Sequence, residues 1–190
     1  MDRIDEVLDF WLGEVGPDGW YAVVPEVDET IRRRFMDLWQ LAGQGALAGW
    51  CATARGALAF LIVTDQMPRN MFRGDGRAFA TDAAARDAAR AAVARNHDLA
   101  LPEPERVFFY MPFEHSEDAA DQDWSVALMA ARLPEGGADF APHAAAHREI
   151  IRRFGRFPYR NAALGRVSTA AEEAFLAAGG YGSVVREMGR

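Results

Sequence analysis

The stretch "ARGALAFLIVTDQM" (Ala54–Met67) decides how the chain is read. Leu58, Leu61 and Ile62 recur at i, i+3 and i+4, the stripe of a helix that buries one face. Nothing in it alternates as a strand would, and Pro68 is expected to break it. Asp65 continues the stripe by one turn, which places a carboxylate at the core's edge. An uncompensated charge there costs several kcal/mol, so the position calls for an arginine partner, either Arg69 or one from the Arg156–Arg166 segment.

The same period holds outward in both directions. Upstream, a first helix is expected over about Asp2–Leu12, ended by Gly13, followed by a loop to Val27. Asp28 is placed to cap the next helix, with Ile31, Phe35, Leu38 and Trp39 inward. Downstream, Thr81 or Asp82 caps a fourth helix that runs to about Asn96, and Pro102 and Pro104 mark a break. A short helix near Glu105–Tyr110 follows, then a longer one from Pro112 to about Leu133. Asp139–Phe154 is helical and stopped by Gly155, and the chain to Val167 is irregular. Thr169 with Glu172 forms a capping box, opening a last helix that Gly179–Gly180 end before a short tail. The reading is all-α: eight to ten antiparallel, short-looped helices in one domain, Met1–Arg190, by this periodicity.

Composition removes several kinds of chemistry. All 21 basic residues are arginine, so neither a lysine Schiff base nor a P-loop lysine exists. The single Cys51 excludes an intramolecular disulfide framework and a multi-cysteine zinc site. A net charge of −7 disfavours nucleic acid and anionic lipid as partners. No leader is expected at the start, with Asp2, Arg3, Asp5 and Glu6, and the longest strong apolar run, Ala57–Val63, is too short to span a bilayer. A cytoplasmic protein is expected, with neither membrane nor nucleic acid among its partners.

Polar residues break the core pattern at three places. Asp65 is the first. His147 shares the stripe of Phe140, Ala144, Ile151 and Phe154. His115, Asp118 and Gln122 stand at i, i+3 and i+7, on one face if a helix begins by Glu114. Glu103–Asp123 holds seven acids against one arginine, and Arg148–Arg166 six arginines against one glutamate, so the two segments suit mutual pairing. His97 and His143 match no such pattern and are read as surface residues.

"VLDFWLGE", "LAFLIVTDQMPRNMFRG", "RAFATD", "YMPFEHSED" and "IIRRFGRFPYRNAALGR" followed by "ST" closely resemble the bacterial family catalogued as domain of unknown function 924. The resemblance runs from about Val7 to Leu176 and implies stacked antiparallel helices in a tetratricopeptide-like, α-α superhelical arrangement; it implies no reaction. Its motif positions are Asp65, Gln66, Pro68, Arg69, Asn70 and Arg73; then Pro112, Glu114, His115, Ser116, Glu117, Asp118 and Gln122; then His147, Gly155, Arg156, Pro158, Arg160, Asn161, Gly165 and Arg166. Members often carry histidine where this chain has Tyr159.

Two functions follow from these residues. In the first, the protein binds a small carboxylate or phosphate, with His115 as general acid/base oriented by Asp118 or Glu117. Asp65, Gln66, Arg69, Asn70, Gln122, His147, Arg156, Arg160 and Asn161 would line that pocket, with Asp65, Arg69, His115, Asp118, His147 and Arg160 at one cleft. In the second, a helical-repeat adaptor holds an acidic peptide or a protein C-terminus on its concave face. A metal on Asp65, His115, Asp118 and His147 lacks any tight ligand spacing and ranks below metal-free chemistry; no motif names a cofactor. A third, purely structural reading has the motifs lock loops with nothing bound.

Overall fold

The computed structural model describes residues 2–189. They are all-α, with no strand among the described residues. Contacts divide the chain into two compact units, Met1–Pro112 and Phe113–Arg190.

In the first unit, α1 (Arg3–Leu8) is capped by the Asp2 carboxylate, which accepts from the Ile4 amide. It runs on as a π-helical segment, Asp9–Val15, so Gly13 does not end it, and a single turn, Gly16–Gly19, follows. The second helix, α2 (Pro25–Gly43), starts at Pro25. Pro25 lacks the N–H that would be unpaired there anyway, and this leaves Asp28 inside the helix rather than at its cap.

The "ARGALAFLIVTDQM" stretch forms α3 (Ala54–Leu61), a π segment (Ile62–Gln66) and α4 (Met67–Met71) in unbroken succession. Pro68 does not stop the helix: the π turn widens the backbone ahead of it, and the proline falls in the first turn of α4. The helix α5 (Asp82–Ala94) packs on α3, as do α1 and the 3-10 turn Glu105–Phe109, while α2 packs on α4. Val7, Ile31, Phe35, Leu61, Ile62 and Phe109 are shut off completely. Phe10 meets Phe35 with ring centroids 5.1 Å apart, and Trp20 meets Phe108 at 4.8 Å.

In the second unit, the helix expected from Pro112 to Leu133 is interrupted. One turn, Met111–Glu114, enters the unit, and α6 (Ala119–Arg132) begins anew. Asp118 restarts it: its side chain accepts from the amides of Ala120 and Asp121, an N-cap that requires extended backbone at Asp118 itself. The turn 133–136 returns the chain into α7 (Gly137–Phe154), the partner against which α6 packs. Gly155, at φ +67°, ends α7 in the left-handed conformation that glycine adopts without penalty.

The expected capping box is present at α8 (Ala170–Ala177), with Thr169 and Glu172 satisfying each other's amides. The expected short tail is instead a further helix, α9 (Gly180–Met188), which lies against α7. Gly179, at φ +103°, makes the reversal, and Val184 is fully buried. Ala146, Ile150, Phe157, Phe175 and Val184 form this unit's core.

Candidate functional site

The motif residues of the first unit tie its elements together. Asp65, 1% exposed, accepts from Gln66 Nε2 at 2.6 Å and lies 3.8 Å from the Arg69 guanidinium one turn on. Arg69 makes its closer, forked pair with Asp82 at 2.8 and 2.9 Å, donates to the Ala78 carbonyl, and stacks over Phe79. Asn70 donates to Asp28 at 2.8 Å, and Arg73 forks onto the same carboxylate. Burial pushes the Asp28 carboxyl up, but the Arg73 and Asn70 hydrogen bonds outweigh it and hold the group below the ordinary range. The donors of Arg69 and Asn70 thus close α4 onto α5 and α2.

The "EHSED" segment and the Arg156–Arg166 loop meet in the second unit, as their opposite charges suggest. Glu117 takes Arg166 at 2.7 and 3.0 Å and the Phe157 amide at 2.8 Å. Burial raises its carboxyl, but the Arg166 and Phe157 bonds prevail and lower it. Arg156 forks onto Glu172 at 2.6 and 2.8 Å and donates to the Val167 carbonyl. That pair, with the Thr169 amide, holds Glu172 at about 2. Asn161 donates to Ser168 Oγ at 3.1 Å. Gln122 Nε2 donates to the carbonyls of Glu114 and Ser116, both at 2.6 Å, and of Phe113 at 3.3 Å. A glutamine one turn into α6 thereby pins the turn that carries Glu114 and His115.

One polar group on this frame is built differently. His147 Nδ1 lies 2.7 Å from Glu114 Oε1 and 3.0 Å from the His143 carbonyl oxygen. An ionised carboxylate and a carbonyl only accept, so Nδ1 carries a proton, and in the neutral form of the ring the bare nitrogen is Nε2. Nε2 makes no hydrogen bond among the described residues and is not one of the fully shielded atoms. Glu114 is 3% exposed. Burial pushes its carboxyl up, but His147, with His115 and His143 behind it, outweighs burial and lowers it.

Aromatic rings surround the pair. His147 meets the Tyr181 ring at 4.7 Å and the Phe157 ring edge-on at 5.4 Å, and His115 is 6.0 Å away. Tyr159 stacks on Phe157 at 5.3 Å and abuts Tyr181, so the position often held by histidine in the resembling family is here part of an aromatic wall. The Arg160 guanidinium lies over the Phe157 ring, 4.4 Å from its centroid.

Of the residues singled out in the sequence, the second unit brings His115, His147 and Arg160 to one aromatic cluster. Asp65, Gln66, Arg69 and Asn70 belong to the first unit. The carboxylates expected beside His115 are engaged elsewhere: Asp118 caps α6, and Glu117 holds Arg166 and the Phe157 amide. The histidine–carboxylate pair is His147 with Glu114. Tyr181, Phe157 and His143, which no sequence motif marks as site residues, also contact His147. His143 has an exposed ring, as expected, yet its Nδ1 meets the Tyr181 hydroxyl at 2.5 Å. The available signal was its i, i+4 spacing from His147 on one helix face. His97 is half-buried rather than a surface residue. No group of three or more His, Cys, Asp or Glu side chains among the described residues is arranged to hold a metal, and no described helix is long and apolar enough to cross a membrane.

Residues 7–180 match the family described as "Bacterial protein of unknown function (DUF924)". No curated protein matches the chain. A solved structure, that of the protein of unknown function ATU0120 from Agrobacterium tumefaciens, is similar at 40% identity and a TM-score of 0.86. The similarity covers 92% of this chain and 96% of that one.

Proposed function

The chain belongs to the bacterial DUF924 family, and we propose that its second unit binds a small carboxylate- or phosphate-bearing molecule at His147. The observation that carries the reading is the Glu114–His147 pair: a buried carboxylate fixes the proton on Nδ1, and Nε2 is left without a partner among the described residues. Such an imidazole accepts a proton at Nε2, or once protonated donates a charge-assisted hydrogen bond from it to an anion. Arg160 adds positive charge at the same rings, and His115 adds a further imidazole. Gln122 holds the Glu114 turn in place through the backbone carbonyls of Glu114 and Ser116. Proton transfer by His147 to or from the bound molecule is the chemistry this arrangement supports.

A thermal-shift screen tests it. Small carboxylates, phosphates and acidic peptides are compared on the wild type and on His147→Asn. A ligand that binds only the folded state stabilises by about 2.7 kcal/mol at a hundredfold excess over Kd. The expected hits are small anions, lost in His147→Asn. Hits confined to acidic peptides would favour the helical-repeat adaptor instead, and small-anion hits that persist in His147→Asn would refute this site.

A further inference from the structure

The rings around His147 run from a buried imidazole to an open phenol. Tyr181 lies 4.7 Å from the imidazole, and Tyr159 meets Tyr181 at 6.2 Å with the two ring planes 71° apart. Phe157, fully buried, joins both ends: it meets His147 edge-on at 5.4 Å and stacks on Tyr159 at 5.3 Å. His147 is 9% exposed, whereas Tyr159, although Phe157 lies against one of its faces, keeps 39% of its surface open.

Both tyrosines are held where they stand. Tyr181 is the second residue of α9, a helix anchored by the fully buried Val184, and its hydroxyl meets His143 Nδ1 at 2.5 Å. Tyr159 sits in a single 3-10 turn between Pro158 and Arg160, which are both buried. A wall fixed by packing loses little freedom when a ligand lies on it. Two rings set nearly at right angles suit a third flat ring, which stacks offset on one and meets the other edge-on. These are the two arrangements that aromatic pairs prefer. A saturated ring gains only apolar contact there.

The charged end is equally specific. His147 offers one hydrogen-bonding atom, Nε2, because Nδ1 is taken by Glu114 and the His143 carbonyl. A single donor matches the single charge of a carboxylate, whereas a phosphate carries a second charge and a third oxygen to satisfy. Resting on the His147 reading, we infer that the ligand is an aromatic carboxylate. Its carboxylate accepts from the protonated Nε2 of His147, its ring lies against Tyr159 and Tyr181, and Tyr159 is the residue that selects for aromaticity.

Calorimetric titration of the full chain at about pH 6, above the ordinary carboxylate range, tests this. The probes are benzoate, phenylacetate, cyclohexanecarboxylate and phenyl phosphate. Cyclohexanecarboxylate has the same charge and a more apolar ring, so hydrophobic burial alone would favour it over benzoate. The expected result is that benzoate or phenylacetate binds about threefold or more tightly than cyclohexanecarboxylate, with phenyl phosphate the weaker of the aromatic anions. Tyr159→Ala is expected to abolish the preference for the aromatic acid, and Tyr159→Phe to keep it; melting curves verify that both variants are folded. Equal binding of the aromatic and saturated acids, a preference that survives Tyr159→Ala, or tighter binding of phenyl phosphate would overturn the inference. If the acids are then still lost in His147→Asn, the His147 reading stands without it. Carboxylate binding that persists in His147→Asn, or no binding of any probe by the wild type, would overturn both.

Discussion

Glu114 and His147 hold each other at 2.7 Å with side chains 3% and 11% exposed, so each is the other's chief compensation for leaving water. Removing one partner of such a pair strands the other. His147→Ala is therefore expected to destabilise by about 3–5 kcal/mol, read from urea midpoints. Glu114→Gln, which keeps an acceptor for Nδ1–H, is expected to lose clearly less. Equal losses in the two variants would mean that packing around the ring, and not its charge partner, sets the stability. The sequence makes His147 legible through its place on an apolar stripe. It does not make Glu114 legible as the partner, because the two are 33 positions apart and Asp118 and Glu117 offer equally suitable chemistry nearby. Backbone amides decide between them: those of Ala120, Asp121 and Phe157 claim Asp118 and Glu117, and Glu114 alone is left to the imidazole.

Helix ends show where local sequence suffices and where it does not. The Thr169–Glu172 box and the Gly155 stop depend on residues within one turn, and both are readable in advance. The passage of α3 through Pro68 depends on a π turn stabilised by tertiary contacts. Thr81 Oγ1 donates to the Thr64 carbonyl at 2.6 Å from 17 residues away, and no periodicity foretells that. Spacing along the chain puts Asp118 on a helix face, but its own side-chain bonds restart α6 and compete with helix continuation. Asp118→Ala and Thr169→Ala should each cost about 1 kcal/mol, the usual value of an N-cap. The two differ in consequence. Asp118→Ala is expected to disturb the Glu114–His115 turn, seen as altered histidine NMR signals, while Thr169→Ala leaves those signals in place.

For the molecule as a whole, acidity is the relevant stress, since 28 carboxylates are matched to 21 arginines through many forked pairs. Glu172 and Glu149 are held at about 2, against an ordinary 4.5, first by Arg156 and by Arg152 respectively. A carboxyl with a depressed folded value contributes stability that is fully present above about 4.5 and is lost as pH falls toward 2. Wild-type melting temperature is thus expected to fall across that window. Glu172→Gln, less stable at neutral pH, should fall less steeply there. A parallel fall in both proteins would show that Glu172 titrates alike folded and unfolded. The all-helical architecture was legible because the 3.6-residue period runs through both units. Which motif residues share a unit was not, since spacing along the chain does not reveal that Arg69 and Asn70 are taken by Asp82 and Asp28.

The central claim is that Glu114 fixes the His147 proton on Nδ1 and leaves Nε2 for a ligand. Nitrogen-15 NMR of histidine-labelled protein reads this at the atom, above the pH at which the ring loses its charge. The expected spectrum has His147 with a protonated Nδ1 and a bare Nε2, and, once the pH is lowered until Nε2 is protonated, the Nε2 resonance moves when a small anion from the thermal-shift screen is added. A protonated Nε2 with a bare Nδ1, or an Nε2 resonance that stays fixed as that anion saturates the protein, would contradict the account.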